Sequence, residues 1–178
     1  ERLPGYETDC LTDLLLRYIE ERGRISHEGT DQPFFAALSV QPPHDPYVAP
    51  AEFMDRHIPG GVSLRENVPA IPSVEARARR DLAGYYAMIE NLDWNVNRIR
   101  AALVEAGLDH DTHLVFFSDH GDMHGSHGQF RKTSPWEESI RVPFIVGGIA
   151  PRYVGRSGRS GSLLNHVDVA PTTLGLCG

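Results

Sequence analysis

The sequence predicts an α/β fold: part of a doubly wound, mostly parallel sheet flanked by helices, one of them long and amphipathic. Three observations carry this. Two short apolar runs, Phe34 to Val40 (FFAALSV) and His113 to Ser118 (HLVFFS), have strand length and no in-out alternation, as strands buried on both faces do. A long helical pattern lies between them, which makes a βαβ order. Each run is followed by a loop rich in proline, glycine and histidine, at the strand end where parallel sheets place their ligands.

Taken in order, residues 8–22 form the first helix. Leu11, Leu14, Leu15, Tyr18 and Ile19 recur at its period, with Thr8 or Asp9 as N-cap and Gly23 just past its end. The run 34–40 is a strand stopped by Gln41-Pro42-Pro43. Residues 41–72, proline-rich and aperiodic, read as an extended surface excursion of a length that usually carries function. A helix then runs from about Ser73 to Ala106 on the stripe Leu82, Tyr85, Tyr86, Ile89, Leu92, Val96, Ile99 and Leu103. Ser73 can cap its start and Gly107 its end, and Gly84 inside it marks a bend or a close contact. HLVFFS is the second strand and Pro143 to Val146 (PFIV) a third. Asp168 caps a terminal helix, VAPTTLGLC, with Pro171 in its first turn.

The 178 residues carry 17 Lys+Arg against 24 Asp+Glu, a net charge of −7. No basic stripe is available to displace counterions, which excludes a nucleic-acid partner. No apolar run approaches the roughly 20 residues of a membrane span. No basic-then-apolar leader opens these residues, and the compartment stays open. Cys10 and Cys177 are too few for a disulfide scaffold and lack metal-ligand spacing.

The chemistry concentrates in Ser118-Asp119-His120-Gly121-Asp122-Met123-His124-Gly125-Ser126-His127-Gly128, and five of the nine histidines lie between His110 and His127. Asp119 and His120 offer a carboxylate oxygen and an imidazole nitrogen to a metal, or form a plain turn. His124 and His127 form a chelating pair or face solvent or substrate, and Asp122 reads as a turn residue. His44, in Pro42-Pro43-His44-Asp45-Pro46-Tyr47, stands at the other strand end with its backbone restricted by prolines; the alternative is a stiff surface turn. Glu137 and Arg141, four apart, can pair across a helical turn and leave Lys132 to face an anion.

In chain order, FFAALSVQPPHDPY, YYAMIENLDWNVNRI, FFSDHGDMHGSHGQFRKTSPWEESIRVPFIV and NHVDVAPTTLGLCG resemble the sulfatase family of the alkaline-phosphatase-like superfamily. The resemblance implies that residues 1–178 are the second part of a catalytic domain that cleaves sulfate esters. It makes Asp119 and His120 two of four protein ligands of a divalent cation. Calcium is the family's metal, and the imidazole leaves manganese or zinc open. Lys132 and His44 would meet the sulfate group and the bridging oxygen, His44 as general acid and Lys132 as fixed charge. His127 takes a substrate-side role, and Glu137 and Arg141 are scaffold.

Sulfatases use a formylglycine made in a C/S-x-P-x-R motif. Neither Cys10 (CLTDL) nor Cys177 lies in one, and the family's N-terminal aspartate pair has no counterpart here. The expectation is therefore a nucleophile outside this chain, no turnover by the chain alone, and an open sheet edge. Such an edge favours self-association or a companion N-terminal segment. The alternatives are a phosphodiesterase or phosphonate monoester hydrolase of the same superfamily, and a non-catalytic metal- or anion-binding module.

Overall fold

The computed structural model describes residues 3–27, 32–148 and 158–177. In chain order they form helices α1 (Glu7–His27), α2 (Ala51–Met54) and α3 (Pro72–Glu105), strand β1 (Leu114–Phe117), helix α4 (Glu137–Ile140), strand β2 (Phe144–Gly147) and helix α5 (Val169–Cys177). Short 3-10 turns lie at 59–61, 109–111, 126–128 and 166–168.

The fold is organised around α3, 34 residues long. Pro72 opens it at N1, where a missing N–H costs nothing, so Ser73 is not its cap. Its buried line differs from the apolar stripe in the sequence. Ala78, Leu82, Met88, Asn91, Asn95, Ile99 and Leu103 face inward, while Tyr86 and Ile89 each remain 40% exposed. Two asparagines can occupy an interior line because Asp9 on α1 accepts their side-chain N–H groups at 2.9 and 2.8 Å. Each such bond to a charged acceptor is worth about 1.5–3 kcal/mol, and burying the amides unpaired would cost a similar amount.

The first helix continues past Gly23 to His27 rather than ending there. Gly23 is a packing point: a Cβ would come within 2.8 Å of the Ala106 Cβ at the end of α3. Beside it, Ile19, Ile99 and Leu103 form a core joined by Leu15, Leu16, Phe34, Leu38 and Leu114.

Residues 41–72 are less of a surface excursion than their composition suggests. Ala49 and Phe53 pack with Ala87 and Met88, and Val62 packs with Leu82 and Ala83, so this segment wraps α3. Burial of side chains such as Phe53 or Met88 stabilises by about 1.5–3 kcal/mol each.

The sheet departs most from expectation. Among the described residues it has two strands, and they pair antiparallel, Leu114 opposite Gly147 through Phe117 opposite Phe144. The mostly parallel sheet is thus absent from the described residues: the chain leaves β1, runs through the histidine loop and α4, and returns beside it in the opposite sense. Residues 34–40 form no regular element and join no ladder. Phe34 and Leu38 reach the core, whereas Phe35 is 73% exposed, because no described strand lies alongside to cover its face. Asp168 does not cap α5 directly. It sits in the preceding 3-10 turn and accepts the Asn165 N–H at 2.7 Å, in a reciprocal capping box. Pro171 does lie in the first turn of α5.

Candidate active site

Two loops build the site against α3. The first is the turn 41–47. At Gly84 a Cβ would collide with the Tyr47 carbonyl oxygen, so the glycine inside α3 marks a close contact and lets this turn seat on the helix. The second is the loop after β1, held to α3 by the Arg77 guanidinium over the Phe130 ring, 3.8 Å from its centroid.

The structure brings His44 and Lys132 together. Lys132 Nζ lies 3.0 Å from His44 Nε2, 88 residues away in the chain. The other ring nitrogen, Nδ1, is 2.8 Å from the Asp45 carbonyl oxygen and 3.1 Å from its carboxylate. Both of those atoms only accept, so Nδ1 carries the hydrogen and Nε2 presents its lone pair to the ammonium group. Asp45 also pairs with Arg131 at 3.2 Å, which ties the two loops beside Lys132.

His120 shares this neighbourhood, its ring centroid 6.3 Å from that of His44. Its Nδ1 is 2.8 Å from the Gly121 carbonyl oxygen, which fixes the same tautomer and frees Nε2 for a cation. Asp119 Oδ2 lies 3.6 Å from that Nε2, and its Oδ1 accepts the His120 backbone N–H at 3.0 Å. One oxygen and one nitrogen are therefore placed side by side, and the residues fit a divalent cation. No group of three or more metal-binding side chains occurs among the described residues.

His127 makes a separate set of contacts. Its ring stacks on Trp136 with centroids 4.1 Å apart, and its Nε2 accepts from the Asn67 amide at 3.2 Å. Asn67 also donates to Glu138, holding that carboxyl below its ordinary pKa. His124 does not pair with His127, nor does it face solvent. It is 2% exposed, packed against Tyr47 and Tyr85 with centroids 5.1 and 4.5 Å away. Neither ring nitrogen has a hydrogen-bond partner among the described residues, and burial pushes its pKa down. Asp122 is the turn residue expected of it, accepting the backbone N–H groups of His124 and Arg131, each at 3.0 Å. Glu137 and Arg141 do pair across α4, at 3.4 Å and largely exposed.

Sequence reasoning passed over several residues that shape the site. Tyr47 donates to Asp122 at 2.7 Å, and burial followed by that bond raises the pKa of its hydroxyl far above the tyrosine norm. Arg65 reaches Ser126 Oγ at 3.3 Å, and His166 meets the Ser118 carbonyl at 2.9 Å. Tyr47 closes the PPHDPY run and could have been noticed there; Arg65 and Asn67 lie in aperiodic chain with no local signal.

Comparison with known proteins finds sulfatases. An ulvan-active sulfatase of Formosa agariphila is 35% identical over 166 residues, covering 89% of this chain and 30% of the relative. An endo-4-O-sulfatase of Bacteroides thetaiotaomicron is 31% identical over 172 residues, 92% of this chain and 32% of the relative. A solved Bacteroides thetaiotaomicron structure, described under glycosaminoglycan metabolism, superposes with a TM-score of 0.76 at 28% identity, over 93% of this chain and 34% of that one. A phosphonate monoester hydrolase of Agrobacterium radiobacter shares the fold at a TM-score of 0.63 and 23% identity, over 81% of this chain and 34% of that one. The chain thus spans about a third of the length of these proteins. No helix among the described residues is long and apolar enough to cross a membrane. The Sulfatase family model matches residues 2–178, and the chain belongs to that family.

Proposed function

We propose that this chain supplies the leaving-group side of a sulfatase active site, acting on a sulfate ester with a nucleophile from outside these residues. By the family resemblance that nucleophile is a formylglycine. The observation that carries the reading is the 3.0 Å approach of Lys132 Nζ to His44 Nε2 beside the His120 ring. Hydrolysis breaks the bond between sulfur and the bridging oxygen, and negative charge grows on the departing alkoxide or phenoxide. The general acid is the imidazolium form of His44, whose Nε2 first takes up a second proton from solvent. An ester oxygen entering between the two side chains then accepts a hydrogen bond from that Nε2–H, and the ammonium turns to the sulfate oxygens. His44 then protonates the departing oxygen as general acid. Its hydrogen bond from Nδ1 to Asp45 keeps the ring aimed throughout.

Asp119 and His120 would hold a divalent cation, calcium by family usage or manganese or zinc by their chemistry, which when bound polarises the sulfate group. His127 offers an exposed Nδ1–H at the loop's rim for substrate. The reading also makes residues 1–178 the second part of the catalytic domain. The strands β1 and β2 would then belong to a larger, mostly parallel, doubly wound sheet. The support is the exposed apolar surface of both strands, with Ile145 57% and Phe117 44% exposed. A companion segment or a second copy covers that surface.

The test is hydrolysis of an aryl sulfate by the full-length protein and by the 178-residue chain alone. The full-length protein turns over, the chain alone does not, and His44→Ala lowers kcat about 100- to 10,000-fold, the range of a lost general acid. Unchanged kcat in His44→Ala, turnover by the isolated chain, or preference for an aryl phosphonate over the sulfate overturns the proposal.

A further inference from the structure

Tyr47 and Asp122 stand outside the proposed chemistry, yet their hydrogen bond joins the two loops that carry it. Tyr47 lies three residues beyond His44, on the same proline-bounded turn. Asp122 lies two residues beyond His120. Its Oδ2 accepts the Tyr47 hydroxyl at 2.7 Å, while its Oδ1 accepts the backbone N–H of Arg131, the neighbour of Lys132, at 3.0 Å. One carboxylate thus connects the His44 turn to the main chain that presents Lys132. The Asp122 side chain is only 16% exposed, so water competes little for these bonds. The Tyr47 ring is further confined by His124 on one neighbour and Tyr85 on another, at 5.1 and 6.3 Å between centroids.

A further direct tie between the same loops is the pair Asp45–Arg131, in which Arg131 is 65% exposed. Such a surface pair is screened by salt and holds two long side chains loosely. Lys132 reaches His44 on a flexible four-carbon stem, so its 3.0 Å approach depends on where its backbone is held.

We infer that Tyr47, acting through Asp122, is a positioning residue that sets the approach of Lys132 Nζ to His44 Nε2. This rests on the reading of those two groups as the ones that meet the ester. A displacement of about 1 Å at reacting groups can cost about 100-fold in rate. Loss of the Tyr47 hydroxyl is therefore expected to lower kcat about 10- to 100-fold and to leave KM within about three-fold.

The experiment is Tyr47→Phe in the full-length protein, with two readouts. One is kcat and KM on an aryl sulfate. The other is the 15N spectrum of the His44 ring, which in the unaltered protein reports a hydrogen on Nδ1 and a lone pair on Nε2. The expected result is a fall in kcat together with a shift of the His44 Nε2 signal as the ammonium withdraws, the Nδ1 signal staying in place. Unchanged kcat overturns the inference, as does a change confined to KM. So does a loss of rate that tracks thermal stability while the His44 signals stay put. Should the unaltered protein cleave no sulfate ester, the proposed function fails, and the His44 spectrum alone decides whether Tyr47 orders the pair. Should Tyr47→Phe fail to fold, Asp122→Asn, which keeps size and one acceptor oxygen, is read in the same two ways.

Discussion

Met123, His124 and Ser126, in the loop between the strands, are at most 2% exposed, whereas Phe117, Ile145 and Val146 in the strands themselves are 44%, 57% and 49% exposed. This reverses the ordinary expectation, in which strands are the interior and loops the surface. The loop is interior because α3 and the wrapping segment close over it: Arg65 reaches Met123 and Ser126, Arg77 covers Phe130, and Tyr85 packs on His124. The two-stranded ladder has no such cover among the described residues. The candidate site is therefore held by a helix and its wrap, and the sheet beneath it contributes little of that support here.

The contrast can be broken most directly by truncating one residue on each side. Met88→Ala, under the wrap, is expected to destabilise by about 2–5 kcal/mol, and Ile145→Ala, on the open strand, by less than about 1 kcal/mol. Urea unfolding of both variants checks this. The difference is expected for the 178-residue chain by itself at low concentration. In the full-length protein, where a companion segment covers the strands, the two losses converge.

A smaller effect sharpens the loop side. Burial holds the His124 pKa below its ordinary value of 6.5, with Asp122 and Asp81 opposing and Arg65 adding to the effect. The unfolded chain takes up a proton near that value and the folded chain resists it. Stability is then full above pH 6.5 and declines as pH falls below it, levelling off once the folded-state pKa is passed. The slope is at most about 1.4 kcal/mol per pH unit for one proton. Glu90 is held low by hydrogen bonds from His57 and Arg56, and Glu138 by Asn67, so both act only below about their ordinary 4.5. Denaturant melts between pH 7 and pH 5 should show the decline, and His124→Phe should flatten it. An unchanged slope in that variant would assign the decline elsewhere.

The smallest effect is expected at the exposed pair Glu137–Arg141, where Arg141→Ala should shift stability by no more than about 0.5 kcal/mol. A larger loss in the thermal midpoint would give α4 a packing role that its exposure does not suggest.

Much of the site was legible because its chemistry is written in short runs. PPHDPY and SDHGDMHGSHG place His44, Asp119 and His120 at the ends of apolar segments, and the fixed φ of proline and the freedom of glycine mark those places as turns. The helices were legible for a related reason: a 3.6-residue period is a local property, and it located α1 and α3 to within a few residues at most ends. The inward line of α3 was not, because Asn91 and Asn95 look exposed until Asp9, more than eighty residues earlier, satisfies them.

By itself, then, the sequence determined where the candidate residues cluster, where the chain turns, and where its long helix lies. All three depend on side-chain type and near neighbours. The tertiary structure alone decided the antiparallel sense of β1 and β2, the burial of His124, and the joining of Tyr47 to Asp122 across 75 residues. Strand direction and long-range hydrogen bonds depend on which distant segments meet, and chain closure over such separations leaves no periodic trace in the residues between.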